Sequence, residues 1–510
     1  MPIGTKPTPW FFYALVAIIS LGYLPLGLWN NDFHYLQHPD EPGKIEQILE
    51  NSRNLHHPLL MLNSVALAAR IKAMVMPKRF ESRFWLAKRF SPGDCARLGR
   101  QVSALFVTLG IFFSALAMLM SGQHWQAVFA ALFLVLNQTL VWVGHFLKED
   151  ASLVFGVGSY LLAAAWLMRH PSRWRFVLLG VAAALLVSAK WAGALMLAGH
   201  WVGLLAFRDT RPLFRGFGWT LLAGVLTFSA VNYQLFGALT TASGSFASEI
   251  TRLDAGRSET GNLLASYRFW FLDLMTHEPG SLILPATLVG LILAGWGKLG
   301  PALRTALFLF AAYVFSLGLT PIPSQRYFVP AAFAVLYFAG AGIGAAVAHW
   351  SRIPYSSVRI TVAGALAIYV ATATAQAIDR TSNNLRHFRD PSVVDAWAWI
   401  RENLSNKPAV LSQLGRLSLP GQGRVEDPEA VPLPVQTVQI DTRGLTYDSL
   451  KAAGVTHLLF RSVDRVKSLR GKGLETDFFL DLDTRGRRVF HVMPGQINII
   501  QSGTEIYEIR

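Results

Sequence analysis

Two adjacent carboxylate pairs stand out in a chain otherwise poor in charge: Asp40-Glu41 within HPDEP and Glu149-Asp150 within HFLKEDASL. Two carboxylates facing one cavity suit general-base chemistry, one taking the proton of a hydroxyl nucleophile while the other orients it. Each pair also has a plain structural reading as the start of a helix. Asp40 would be an N-cap with Glu41 at N1 and Pro42 at N2, and Asp150 the N-cap of a helix from Ala151. Three cations, Arg100, Lys190 and Arg326, fall at the expected outer ends of apolar segments. There the bland reading is that they anchor at the bilayer surface. Six histidines, His34, His38, His56, His57, His145 and His277, lie in the same outer segments. Imidazoles and carboxylates are ordinary ligands of divalent ions, so His38, His57 and His145 with Asp40 are candidates for a metal or for contacts to an acceptor. None shows the i, i+4 spacing of a zinc helix.

The elements that must carry these residues are mostly membrane-spanning. Of 510 residues, 52% are hydrophobic and 15% charged, against about 25% charged in an ordinary soluble domain. The deficit is uneven: 33 of the 131 residues from Arg380 to Arg510 are charged, but only 44 of the first 379. A membrane part over 1–379 and a soluble domain over 380–510 follow, which excludes a purely soluble enzyme, a disordered chain, a coiled coil and a disulfide-stapled module. The lone Cys95 permits neither an internal disulfide nor a cysteine zinc site. The net charge of +15 suits the anionic membrane surface rather than nucleic acid.

Eleven apolar segments approach the roughly 20 residues a span needs: 10–29, 101–120, 125–143, 151–168, 176–189, 191–207, 216–235, 280–297, 302–320, 327–349 and 354–378. The pair over 176–207 also reads as one bent helix with a re-entrant piece. With the N-terminus in the cytoplasm, the short inner loops hold Arg169, Arg173 and Arg175, then Arg208, Arg211 and Arg215, then Lys298, Arg304, Arg352 and Arg359, as the positive-inside rule asks. An odd span count then puts the long loop 30–100 and the tail 380–510 outside the cytoplasm. In the loop, 41–51 and 58–76 have helical periodicity suited to the membrane surface. In the tail, VVDAWAWIRENL is an amphipathic helix, AVLSQL and THLLFR are strands, YDSLKAAG is a helix closed by Gly454, and INIIQSGTEIYEI is a terminal hairpin. The expected tail is a small α/β domain.

An Asp-Glu pair just past the first span resembles the GT-C superfamily of membrane glycosyltransferases, above all the protein O-mannosyltransferases and the aminoarabinose transferases of lipid A. The resemblance continues in order with HHPLLML, GRQVSALF, HFLKEDASL, SAKWAGAL, SQRYFVPA and the tail helix DPSVVDAWAWIREN. It covers residues 30–402 and fades beyond about Leu404. Pro39 and Pro42 bracket the acidic pair where many relatives have an aromatic before it and no proline after it. The W-W-D-Y-G signature of the large oligosaccharyltransferases is missing, which argues against transfer to asparagine. The resemblance implies an inverting glycosyltransferase of a bacterial inner membrane. It would pass a sugar from a polyprenyl-phosphate donor to a hydroxyl of a glycan, lipid or protein on the periplasmic side. It also implies Asp40 as base, Glu41 or Asp150 (Glu149 if the second motif is shifted) as orienting carboxylates, and Lys190, Arg326 and Arg100 as phosphate cations. No cofactor is certain, a divalent cation being the one candidate. A transporter or flippase of lipid-linked sugars and a non-catalytic scaffold are the rival classes. The first would need two related halves with interrupted spans, which the chain does not show.

Overall fold

The computed structural model describes residues 9–31, 40–55, 57–204, 216–237, 244, 283–295, 300–318, 325–350, 354–386, 392–405, 408–413, 435–438, 445–462, 465, 476–492 and 503–510. It divides into two compact units. The first comprises Met1–Trp29, Asn51–Met74 and Leu98–Ser382, and the second Asn30–Glu50, Val75–Arg97 and Asn383–Arg510.

The first unit is helical. In chain order it contains α1 (Trp10–Leu21) and α2 (Tyr23–Leu28); α3 (Glu41–Leu49) belongs to the second unit and α4 (Leu60–Ala73) to the first. Then follow α5 (Pro92–Met120), α6 (His124–Val135), α7 (Gln138–Gly144), α8 (Glu149–Arg169), α9 (Arg173–Ala189) and α10 (Ala192–Leu204). α11 (Phe217–Val231), α12 (Ile283–Gly295), α13 (Pro301–Gly318), α14 (Val329–Trp350) and α15 (Ser356–Arg386) complete it. A helix stands at each of the eleven segments expected from hydropathy. Among the described residues, five are long and apolar enough to cross a bilayer: Trp10–Leu28, Pro92–Met120, Glu149–Arg169, Val329–Trp350 and Ser356–Asn383. The segment expected as one span over 125–143 is instead two helices, α6 and α7, bent by 63°. The cause is local: the Asn137 side chain accepts from the Leu140 amide and starts a new helix. α14 is enclosed over most of its length and packs on α6 and α12. Its small residues allow this, since a Cβ at Gly340 would lie 2.3 Å from the Ala130 amide nitrogen of α6. α5 begins at Pro92, so the helix of the second span starts inside what was expected as the loop 30–100.

The second unit holds α3 and the tail domain. Its five-stranded sheet has the order β2-β1-β3-β5-β4, with β1 (Val410–Gln413), β2 (Gln436–Val438), β3 (His457–Phe460), β4 (Arg487–Val492) and β5 (Thr504–Glu508). β1 runs parallel to β2 and β3, and β5 runs antiparallel to β3 and β4. α16 (Ser392–Leu404) lays Ala396, Ile400 and Leu404 on one apolar layer with Leu411, Leu459 and Ile506. α17 (Tyr447–Ala452) and α18 (Thr476–Arg485) contribute to the other layer, with Leu450, Phe478 and Phe479 around Leu458, Phe460 and Tyr507. A Thr446–Ser449 capping box opens α17, and Gly454 at φ +72° follows it. Among the described residues the tail combines helices with a mixed sheet in which β5 pairs with β3 and β4; the INII arm of the expected hairpin lies outside the described residues.

Candidate active site

The first unit brings one carboxylate and one ammonium together from opposite ends of two consecutive helices, α8 and α9. Asp150 lies in the first turn of α8, whose N-cap is Lys148. The helix thus starts earlier than the expected Ala151, and Asp150 is not its cap. Its carboxylate sits where the helix dipole favours negative charge. Lys190 stands between α9 and α10 with extended backbone (φ −162°, ψ 147°). α10 can turn back this sharply because residue 193 is glycine: a Cβ there would lie 2.1 Å from the Leu186 carbonyl oxygen. The result is a Lys190 Nζ to Asp150 Oδ1 distance of 2.7 Å, with the Asp150 side chain 3% and the Lys190 side chain 15% exposed. Lys190 is therefore paired inside the fold rather than snorkelling to the surface.

Nζ also lies 5.5 Å from the centroid of the Tyr327 ring, within reach of a cation–π interaction. Tyr327 belongs to a single 3-10 turn, Gln325–Phe328, that leads into α14. The Tyr313 hydroxyl of α13 donates to the Tyr327 carbonyl at 2.7 Å and holds that turn. Arg326 is in the same turn, but its side chain lies outside the described residues. The SAKWAGAL and SQRYFVPA motifs, 137 residues apart from Lys190 to Tyr327, thus meet at the Lys190 ammonium.

A second polar cluster frames this pair. Asn232, just after α11, accepts from the Leu59 amide at 2.8 Å and donates to Ser188 Oγ at 2.7 Å and the Phe228 carbonyl at 2.9 Å. Leu59 precedes α4, and Ser188 lies two residues before Lys190. Asn63 donates to the Val231 carbonyl at 2.8 Å and to Gln234 Oε1 at 3.1 Å. The HHPLLML segment is thereby fastened to the end of α9. Asn232, Ser188 and Tyr313 were not singled out from sequence; a lone asparagine closing an apolar run, as in SAVNY, was the available signal.

Arg100 is fully buried on α5 beside the segment 145–148. There Ser103 Oγ donates to the Phe146 carbonyl at 2.5 Å, and Gly99 faces Leu147. His145 is also fully buried, with Nδ1 2.7 Å from the Val141 carbonyl and Nε2 2.8 Å from the Trp29 carbonyl. Burial, with the charge of Arg100 adding to it, holds its imidazole below the usual range despite those bonds. Both nitrogens are engaged with backbone, so His145 belongs to the frame of the site rather than to its ligands. His57 is half-buried just ahead of α4. His34, His38, His56 and His277 lie outside the described residues. Among the described residues, no three of His, Cys, Asp and Glu converge as metal ligands would.

In the second unit, Asp40 stands at the N-cap position of α3, Glu41 at its first position, and a proline in the first turn. Asp40 has helical backbone angles (φ −90°, ψ −14°), and its side chain caps no amide of α3. The side chain therefore makes no capping bond, contrary to the capping expectation. Glu41 is fully buried and Asp40 half-buried. Glu149 is buried in the first turn of α8.

Comparison with solved structures identifies the fold. The chain matches ArnT from Cupriavidus metallidurans bound to undecaprenyl phosphate over 99% of each chain, with a TM-score of 0.55 and 16% identity. It matches the archaeal oligosaccharyltransferase AglB from Archaeoglobus fulgidus, in complex with an inhibitory peptide and a dolichol-phosphate, over 95% of this chain and 73% of that one, at TM-score 0.55 and 12% identity. No family model and no curated protein matches the sequence. The chain has the fold of these two proteins, and five of its described helices are long and apolar enough to cross a bilayer.

Proposed function

We propose that this chain is an inverting membrane glycosyltransferase. It takes a sugar from a polyprenyl-phosphate donor and passes it to a hydroxyl-bearing acceptor on the periplasmic face of a bacterial inner membrane. The observation that carries the reading is the buried Asp150–Lys190 pair under Tyr327, in a fold whose solved neighbours hold undecaprenyl phosphate or dolichol-phosphate. A lipid phosphate gains charge as the sugar departs, and an ammonium already stripped of bulk water meets that charge strongly. Asp150 holds Nζ in place and limits its wandering. Arg326, one residue from Tyr327, supplies the second cation, and buried Arg100 adds positive field near HFLKED. On the acceptor side, Asp40 takes the hydroxyl proton as the oxygen attacks the anomeric carbon, while Glu41 orients the acceptor. The reading places eleven crossings in the membrane and the tail 380–510 in the periplasm. Its test is turnover by the purified protein in nanodiscs with a panel of undecaprenyl-phosphate sugars, paired with mass spectrometry of envelope glycans and lipids with and without the chain. Donor cleavage and a mass shift in one envelope component are expected. Unchanged envelopes together with an uncleaved donor panel would rule the reading out.

A further inference from the structure

Between Val75 and Ser91 the sequence VMPKRFESRFWLAKRFS carries Lys78, Arg79, Arg83, Lys88 and Arg89 against one acid, Glu81, with four aromatic residues interleaved. The segment is a defined loop in the structure. The amides of Arg79 and Phe80 both donate to the Lys88 carbonyl, at 2.8 and 3.1 Å. Arg79 is tied at 3.1 Å to Asp94, which also takes Arg97 at 2.7 Å. Of the remaining cations Lys78 and Arg83 are displayed outward, and Lys88 and Arg89 are half-buried. Lys78 and Arg83 are exposed, Trp85 is 46% exposed and Val75 87% exposed, whereas Leu86 and Phe90 are buried and hold the loop from beneath. The Arg83 guanidinium lies over the Phe84 ring and that of Arg89 over Trp85, each 4.6 Å from the centroid. Stacking of this kind fixes the guanidinium plane and leaves the N–H edge of the exposed Arg83 for a phosphate, whereas Arg89 also donates to the Trp85 carbonyl at 3.2 Å.

The loop is next to the bilayer by chain continuity. It runs directly into α5, one uninterrupted helix from Pro92 to Met120. The polar start of that helix, 92 to 101, measures only about 14 Å at 1.5 Å per residue before the apolar span begins. We infer that residues 75–91 form an interfacial clamp for anionic phospholipid headgroups, with Lys78, Arg83, Lys88 and Arg89 meeting phosphates and Trp85 seated at the headgroup level. The outward spread of the cations favours a lipid surface over a single donor phosphate, which would need convergent groups in a concavity. The clamp does not depend on whether the chain transfers sugar.

The test is hydrogen exchange of peptides covering 75–91 in the full-length protein, in nanodiscs of phosphatidylcholine alone or mixed with phosphatidylglycerol. Exchange should slow in the anionic discs by about fivefold for each engaged cation. The slowing should disappear at high salt and in Lys78→Glu/Arg83→Glu, while peptides over Leu445–Phe460 stay unchanged as a folding control. Lys78→Gln/Arg83→Gln should show an intermediate loss. Equal exchange in both lipids, or slowing that survives the double charge reversal, would overturn the clamp. Slowing produced in phosphatidylcholine discs by added undecaprenyl phosphate, and not by phosphatidylglycerol, would also overturn it and make the loop part of a donor site.

Discussion

Lys190 and Asp150 lie 40 residues apart in the chain and meet at 2.7 Å inside the helical unit. Neither end of the pair is replaceable alone. Removing one partner of a fully buried pair costs about 3–5 kcal/mol because the other charge is left stranded, and the partial exposure of Lys190 places this pair toward the lower end. Asp150→Asn and Lys190→Met should each lower unfolding stability in detergent, while the double variant should lose less than the sum of the two. Strictly additive losses would show that the pair is not coupled.

If Lys190 also meets the donor phosphate, Lys190→Ala should weaken donor use by a few kcal/mol, the scale of a charge-assisted contact. Arg326→Ala should do the same with a smaller loss of stability. Transfer rates measured at limiting and saturating donor decide it, and normal turnover at both would make these residues structural.

Asp40→Asn keeps the size of the side chain and its ability to cap α3, so folding should suffer little. An amide cannot take the acceptor's proton, so transfer should fall by roughly 10²–10⁴-fold. Asp150→Asn should be milder and Glu149→Gln milder still, all measured on monodisperse protein. Turnover like the parent's in Asp40→Asn would remove the base.

Asn232 satisfies the Leu59 amide and Ser188 Oγ at once. Asn232→Leu keeps the volume and strands both, at about 1–3 kcal/mol for each buried group. Faster hydrogen exchange is expected both at 59–63 and at 186–192, the two segments this side chain bridges. A change at one segment alone would show that the clamp does not couple them.

In the tail domain, Arg465 donates to Asp483 at 2.5 Å and to Tyr507 at 3.2 Å, and Tyr507 donates to Asp483 at 2.5 Å. Burial opposes ionisation of Asp483, but the bonds from Tyr507 and Arg465 prevail and hold its carboxyl below the usual range. Its contribution is therefore complete above about pH 4 and lost as pH falls through the lowered value. Tyr507 is pushed up to about 12, by burial first and then by its bond to Asp483, so its contribution holds below about pH 10 and is lost as pH rises through 12. Asp483→Asn should flatten the acid limb of domain stability, followed by exchange in 476–492.

The membrane part was legible because apolar runs announce helices whatever their partners, and the cations at their ends survive as landmarks. The bend at Asn137 was not, since a capping asparagine inside an apolar run looks like a tolerated polar residue until the Leu140 amide is seen on it. Asp40 and Asp150 were found by chemistry; Asp40 sits at the cap position as expected but makes no capping bond, and Asp150, expected as a cap, lies inside the first turn. The Lys190–Tyr327 contact spans 137 residues, and no periodicity reports such a distance. In the tail, the strand partners of β5 depend on nonlocal pairing, which local alternation of residue types does not encode.

The position of β5 in the sheet also sets the timetable of folding. Residues 504–508 lie between β3 and β4 and, among the described residues, are the one strand to which β4 is joined. Until they leave the ribosome, β3 keeps an open edge, β4 has no neighbour, and Ile506 and Tyr507 are missing from both apolar layers. The domain therefore closes late, after every helix of the membrane part has been made, and loss of its last strand would leave a sheet split in two.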